Sequence, residues 1–128
     1  MKYLGGEEVL VIHSEIIEAT GGLHGVRDAG LFLSIFQKPK MMFGGKELYK
    51  SVFEKAAVYF EAFANLHIFI DGNKRTAIAA AARFLFLNKF ELKATNREVE
   101  NFVEKAVIGK LKIQEIAKWI KSHSQKLK

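Results

Sequence analysis

The chain has 128 residues and 49% of them are apolar, which is typical of one globular domain with a buried core. It contains no cysteine, so the sequence excludes a disulfide framework and a thiolate metal site. It has no run of about 18 uncharged apolar residues, and residues 1–8 lack the apolar core of a signal peptide. We therefore expect a cytoplasmic protein that does not enter a membrane, with a single domain over residues 1–128.

The formal net charge of +6 is compatible with several kinds of partner. A nucleic acid, an acidic protein and a nucleotide would each be attracted by positive potential. Many of the lysines, however, lie in residues 110–128, and no arginine-rich stretch or aromatic stacking platform accompanies them. A solvated lysine-rich face explains this charge better than nucleic-acid binding does, so a nucleic-acid partner is not expected.

Apolar residues recur at helical spacing along most of the chain, while the alternation typical of strands is nearly absent. The pattern predicts helices over residues 7–19, 28–36, 46–66, 73–88 and 95–107, and a last amphipathic helix with Ile113, Ile116, Ala117 and Ile120. Residues 38–45 are predicted to form a loop and residues 89–94 a turn. The predicted fold class is all-α, a compact bundle of about six helices in which one loop leads into a central, buried helix.

Residues 67–76 combine a histidine, a carboxylate, a glycine, an amide and two cations, directly before the alanine-rich apolar helix. If Gly72, Asn73 and Lys74 lie in the first turn of that helix, their unpaired N–H groups and the helix dipole form an anion site. Glycine there lets a phosphate approach without a Cβ in the way. A plain helix start with Asp71 as the N-cap residue is the simpler explanation of the same residues.

The charged residues of this segment have more than one possible role. Asp71 is suited to Mg²⁺, which usually takes one or two protein carboxylates together with phosphate oxygens. Because capping and metal binding compete for the same oxygens, the sequence leaves this choice open. Lys74 and Arg75 are adjacent and leave a helix about 100° apart, so we expect one cation to reach the phosphate and the other to pair elsewhere.

His67 precedes the predicted anion site across a short loop. A neutral imidazole at this point can take a proton from an attacking hydroxyl, although a packed, hydrogen-bonded histidine is the simpler alternative. Phe69 is predicted to point inward and pin the loop in either case. The other histidines have no comparable neighbours, and we assign His13 to the first helix and His24 and His123 to loops or the surface.

Three segments together resemble the Fic/Doc superfamily, and the lysine that follows Asn73 resembles its Doc ("death on curing") branch. Residues 21–31, GGLHGVRDAGL, are similar to the family segment GG-x-x-G-x-R-D-x-G-L. Residues 43–49, FGGKELY, are similar to FGG-x-E-L-Y, and residues 69–77 contain the motif core F-x-DGNKRTA. The segments occur in the family order and cover most of residues 7–90.

The resemblance implies a Fic-type helical fold with the motif between two central helices. By that resemblance His67 is the general base for a target hydroxyl, and Asp71 holds Mg²⁺ on the phosphates of ATP. Gly72 and Asn73 form the anion hole, and Arg75 contacts phosphate. Fic enzymes that transfer AMP have a glycine where this chain has Lys74. Doc-type enzymes are expected to bind the nucleotide reversed and to transfer its γ-phosphoryl group, with elongation factor Tu as target and arrested translation as outcome.

The resemblance also implies two protein partners. Residues 38–45 correspond to the flap that docks the backbone of the target protein, which would explain the apolar Met41, Met42 and Phe43 beside Gly44. Doc proteins are toxins held inactive by an antitoxin, here expected to have an acidic or partly disordered tail. Residues 14–19 come close to the inhibitory helix motif of other Fic enzymes but end in alanine, so a separate antitoxin is expected.

Two other functions remain open from the sequence alone. The first is transfer of AMP to a protein hydroxyl, because Gly72 is shared with many Fic enzymes, although Lys74 argues against it. The second is a non-enzymatic helical module that binds nucleic acid or an acidic protein through its basic C-terminal segment. This module would leave the clustered residues of 67–76 without a purpose.

Overall fold

The computed structural model describes residues 1–128 and is mostly helical, with two short pairs of antiparallel strands. The helices are α1 (Gly6–Thr20), α2 (Ala29–Ile35), α3 (Val52–Asn65), α4 (Asn73–Leu87), α5 (Asn96–Ile108) and α6 (Ile113–Ser122). The strands are β1 (Met42–Phe43), β2 (Lys46–Glu47), β3 (Phe90–Leu92) and β4 (Ser124–Lys126), and a 3₁₀ turn covers Lys38–Lys40. The predicted helical architecture is confirmed, while the strict all-α class is corrected to a helical fold with two small strand pairs.

The first strand pair replaces part of a predicted loop and the start of a predicted helix. β1 and β2 form a hairpin in which Met42 lies opposite Glu47 and Phe43 opposite Lys46. Gly44 and Gly45 between them have φ angles of 59° and 77°. Positive φ at both central residues is what a two-residue type I′ hairpin turn requires, so the two glycines reverse the chain and β2 replaces the predicted start of a helix at residue 46.

α3 begins at Val52 and not at residue 46, because a capping box fixes its start. The Ser51 hydroxyl accepts a hydrogen bond from the Glu54 N–H at 3.0 Å, and the Ser51 N–H donates to the Glu54 carboxylate at 3.4 Å. These reciprocal bonds pair N–H groups that have no partner inside the helix. Leu48 has helical spacing in the sequence but lies before the cap, where it is 46% exposed.

The second strand pair corrects the turn predicted over residues 89–94. β3 pairs antiparallel with β4, with Glu91 opposite Gln125. Each strand has three residues, which is too short for the period-two pattern to be recognised in the sequence. The pairing fixes the lysine-rich C-terminal segment beside the end of α4, where the Leu127 N–H also donates to the Lys89 carbonyl at 2.8 Å.

α3 and α4 pack against each other at the centre of the molecule, with α1 and β3 against α4 and α6 against α3. The central pair buries Ala56, Tyr59, Phe60 and Phe63 from α3 and Ala77, Ala80, Ala81, Phe84 and Leu85 from α4. α4 is not enclosed all round as the sequence suggested, because Phe86 is 55% exposed with the Arg83 guanidinium 5.7 Å from its ring centroid. None of the helices is both long enough and apolar enough to cross a membrane.

Thr76, in the first turns of α4, is fully buried and its hydroxyl has no hydrogen-bond partner. A buried polar group without a partner destabilises a protein by about 1–3 kcal/mol. Thr76→Val keeps the shape and removes the hydroxyl, so we expect it to raise the free energy of unfolding by about 1 kcal/mol. Urea denaturation measures this change, and a loss of stability would show that the hydroxyl bonds an internal water.

Candidate active site

The N-terminus of α4 is open toward solvent and carries unpaired donors. Gly72 is its N-cap residue, in the left-handed conformation with φ 79° and ψ 18°, and no side chain caps the helix. The N–H groups of Gly72, Asn73, Lys74 and Arg75 make no hydrogen bond within the chain. A helix end with free N–H groups and the positive end of the helix dipole binds anions.

Gly72 is required at this point for two separate reasons. Its φ of 79° lies in the left-handed region that residues with a Cβ rarely adopt. A Cβ placed on it would also lie 3.0 Å from the Ile17 Cδ1 and 3.6 Å from the His13 Nε2. A side chain at this position would therefore strain the backbone and require the Ile17 side chain to shift by a few tenths of an ångström.

The Asp71 carboxylate does not cap α4, so of the two roles that the sequence left open, capping is wrong and metal binding stays a prediction. One of its oxygens accepts a hydrogen bond from the Leu23 N–H at 2.8 Å. The other oxygen makes no hydrogen bond within the protein. Asp71 thus ties the segment after α1 to the motif loop and keeps one oxygen free for a cation.

Asn73 closes the motif loop through its side chain. Its Oδ1 accepts a hydrogen bond from the Phe69 N–H at 2.9 Å, and its Nδ2 donates to the Phe69 carbonyl at 2.9 Å. Both ends of the amide are therefore occupied by the loop backbone. The backbone N–H of Asn73 and the second hydrogen of Nδ2 make no hydrogen bond within the protein, and the role of Asn73 in binding an anion stays a prediction.

Replacing this amide by a carboxylate tests the loop closure. In Asn73→Asp the donor to the Phe69 carbonyl is lost and a negative oxygen faces that carbonyl. We expect the free energy of unfolding to fall by about 1–3 kcal/mol at neutral pH, as measured by urea denaturation. Asn101→Asp, an exposed change on α5, is the matched control, and equal stability of the two variants would contradict the closing role of Asn73.

His67 lies in the connection between α3 and α4 with an unusual backbone conformation. Its φ is 50°, a left-handed value that is uncommon for a residue with a Cβ. Its side chain is exposed, and its imidazole makes no hydrogen bond within the protein. The ring is thus not the packed, hydrogen-bonded histidine of the simpler alternative, and it is available to an incoming group.

Phe69 and His13 form the buried floor of the loop. Phe69 is 1% exposed and His13 is 4% exposed, and their rings stack with centroids 3.8 Å apart and an interplanar angle of 9°. The His13 Nε2 donates to the Asp71 carbonyl at 2.8 Å. This role of His13 was not predicted from the sequence, although Val9, His13 and Ile17 are spaced by four and therefore share the buried face of α1.

A single open cleft of about 530 Å³ gathers most of the predicted residues. It is lined by Thr20, Gly21, Gly22, Ala64, His67, Ile70, Asp71, Gly72, Asn73, Lys74 and Arg75. Lys74 and Arg75 both border it, and neither forms an ion pair within the protein. Neither cation pairs elsewhere in the protein, and which of them reaches a phosphate stays a prediction.

The residues of the predicted flap lie outside the lining of this cleft. Met41, Met42 and Phe43 are 48%, 57% and 80% exposed, and Gly44 forms the hairpin turn. The base of the hairpin is anchored by Lys55, which is 1% exposed. The ammonium of Lys55 donates to the Pro39 carbonyl at 2.9 Å and to the Glu47 carboxylate at 3.1 Å. The hairpin therefore has a fixed base and an exposed apolar tip.

The side chains around the cleft offer few ligands for a metal ion. No group of three or more histidine, aspartate or glutamate side chains converges anywhere in the chain. Asp71 is the one acidic residue that lines the cleft. A single carboxylate with one free oxygen suits Mg²⁺ when phosphate oxygens and waters complete the shell, and it does not suit a metal held by the protein alone.

Similarity to known proteins extends over most of the chain. Residues 3–85 match the family model described as Fic/DOC family. The chain is 40% identical over 93 residues to Toxin Doc of Mycolicibacterium smegmatis, an alignment that covers 73% of this chain and 69% of that protein. It is 31% identical over 117 residues to Protein kinase doc of Escherichia phage P1, with 91% of each chain covered.

Proposed function

Because this chain belongs to the Fic/DOC family, we propose that it is a Doc-type phosphotransferase that moves the γ-phosphoryl group of ATP to a serine or threonine hydroxyl of a protein. The observation that carries this proposal is one cleft shared by the unbonded imidazole of His67 and the unpaired N–H groups of α4. The imidazole is suited to a hydroxyl proton, and the helix end is suited to phosphate oxygens.

The proposed reaction assigns one task to each part of the cleft. His67 takes the proton of the target hydroxyl while the hydroxyl oxygen bonds to the γ-phosphorus. The bond from that phosphorus to the oxygen shared with the β-phosphate breaks, and ADP leaves with the bonding electrons. The N–H groups of α4 and the cations Lys74 and Arg75 stabilise the charge on the phosphate oxygens.

Mg²⁺ and ATP are the proposed cofactor and co-substrate. The free carboxylate oxygen of Asp71 would hold the ion together with phosphate oxygens, and the bound ion would offset phosphate charge. Since the protein offers a single carboxylate, Mg²⁺ should bind with useful affinity only when the nucleotide is present.

Lys74 is the residue on which the choice of transferred group depends. Its side chain borders the cleft and forms no ion pair, so no carboxylate competes with phosphate oxygens for its ammonium. A lysine in this position fills part of the anion site that a glycine would leave open. This favours binding of the nucleotide with its terminal phosphate toward His67, and so favours γ-phosphoryl over AMP transfer.

The proposed protein partners follow from the exposed hairpin and from the relatives. The apolar tip formed by Met41, Met42 and Phe43 would dock the target, for which elongation factor Tu is the candidate, and modification would arrest translation. One relative is named Toxin Doc, so an antitoxin that blocks the cleft is the proposed regulator. The net charge of +6 suits an acidic antitoxin tail.

Labelled nucleotides test the proposal directly. The purified protein is incubated with Mg²⁺, elongation factor Tu and ATP that carries the label on either the γ- or the α-phosphate. We expect the wild type to transfer label to the target from the γ-position alone, and we expect the Asp71→Asn variant to transfer no label. Label from the α-position alone would establish AMP transfer and overturn phosphoryl transfer. No label from either position would remove elongation factor Tu as target.

A further inference from the structure

The side chain of Arg27 lies along the backbone that carries His67. Its Nε donates to the His67 carbonyl at 2.7 Å, and its Nη2 reaches the Leu66 carbonyl at 3.4 Å. Its own backbone N–H donates to the Ile68 carbonyl at 2.7 Å. One residue from the segment after α1 therefore contacts three consecutive carbonyls of the α3–α4 connection.

These carbonyls lie at or just after the C-terminus of α3, where a cationic donor is stabilising. Leu66 is the C-cap residue of α3, and the last carbonyls of a helix have no partner inside it. The last turn of α3 contains no basic residue. The guanidinium of Arg27, distant in sequence, supplies both the donors and the positive charge that stabilise a helix C-terminus.

His67 itself occupies a position that usually requires glycine. The residue after a helical C-cap commonly adopts a left-handed conformation, and glycine is the usual residue there. His67 adopts it with φ 50°. A residue with a Cβ stays in this conformation only when its surroundings hold it, and the hydrogen bond from Arg27 acts on the carbonyl of that same residue.

We propose that Arg27 is a positioning residue that holds the peptide of His67 in its left-handed conformation and thereby directs the imidazole into the cleft. The inference rests on the proposed role of His67 as the base. Arg27 does not line the cleft, so its action on the reaction passes through His67 and not through the nucleotide.

The backbone around Arg27 is held independently of its side chain. Val26 forms an antiparallel bridge with Phe69, and the Ile70 N–H donates to the Gly25 carbonyl at 3.1 Å. None of these contacts involves the guanidinium. Arg27→Ala should therefore remove the two side-chain contacts to carbonyls while the segment stays in place.

The test compares Arg27→Ala, Arg27→Lys and the control Arg97→Ala, an exposed arginine of α5 without a partner. We expect kcat of Arg27→Ala to fall about 10- to 100-fold, as for a misplaced catalytic group, with the KM for ATP unchanged within about twofold. Arg27→Lys keeps one charged donor and should fall between Arg27→Ala and the wild type. Unchanged kcat, or a change confined to the KM for ATP, would overturn the proposal.

A second measurement, of the histidine ring signals by NMR, does not require transfer of label to a target. Imidazole NMR signals of the four histidines, assigned by His67→Ala, report the ring directly. We expect the His67 signals to shift or broaden in Arg27→Ala while those of His123 do not change. Unaltered His67 signals would overturn the positioning role even in a protein with no activity. Absence of label transfer by the wild type would count against the proposed target and would leave the positioning role to be decided by the NMR signals.

Discussion

His67→Ala is expected to lower the rate of label transfer by about 10²- to 10⁴-fold, the usual effect of removing a general base. The side chain is exposed and makes no hydrogen bond within the protein, so the folded structure does not depend on it. We therefore expect the thermal midpoint to stay within about 2 °C of the wild type. His24→Ala is the control for activity, because His24 is also exposed and does not line the cleft, although its Nε2 contacts the Glu18 carboxylate at 2.8 Å. Full activity of His67→Ala would rule out the proposed base.

His67→Gly separates the catalytic role from the structural one. The left-handed φ of 50° at this residue costs a residue with a Cβ about 1–2 kcal/mol, and glycine adopts it freely. We expect the glycine variant to be inactive but more stable than His67→Ala by about 1 kcal/mol, as measured by urea denaturation. Equal stability of the two variants would show that the backbone at this position is not strained.

Lys74→Ala is expected to lower the rate of γ-phosphoryl transfer by about 10- to 100-fold, since one charged donor to the phosphate oxygens is lost. The lower part of this range is favoured at high ionic strength, because the ammonium is exposed and is screened by salt. Alanine retains the helix propensity of the position, so stability should not change. Lys121→Ala, an exposed lysine of α6, serves as the control.

The Lys74→Gly variant tests whether this lysine also determines which part of ATP is transferred. With the anion site opened, we expect label from the α-position of ATP to become detectable on the target. An unchanged rate of γ-transfer in Lys74→Ala would remove the lysine from the reaction. Absence of α-label in Lys74→Gly would show that other residues orient the nucleotide.

The sequence by itself predicted the helices and the segment that forms the cleft. Apolar residues at helical spacing located α1, α4 and α5 closely, because amphipathic periodicity is a local property of the chain. The order of residues 67–76 predicted that a histidine, an aspartate and one of two cations meet at one helix start, and the structure places the histidine, the aspartate and both cations around one cleft. The roles assigned to those residues remain predictions.

The two strand pairs and the support of the motif were decided by the tertiary structure. β3 and β4 are short and distant in sequence, so no local pattern reveals their pairing. The tertiary structure also decided that Asp71 does not cap α4, because its carboxylate accepts a hydrogen bond from the distant N–H of Leu23.

His13 and Arg27 make two contacts inside the site that no local sequence pattern could predict. His13 supports the Asp71 carbonyl from α1, and Arg27 holds the His67 carbonyl from the segment after α1. Both contacts join residues far apart in sequence and end on backbone carbonyls, which every residue possesses. A sequence shows where reactive side chains are placed along a helix start, but only the folded chain shows which distant side chains hold the backbone beneath them.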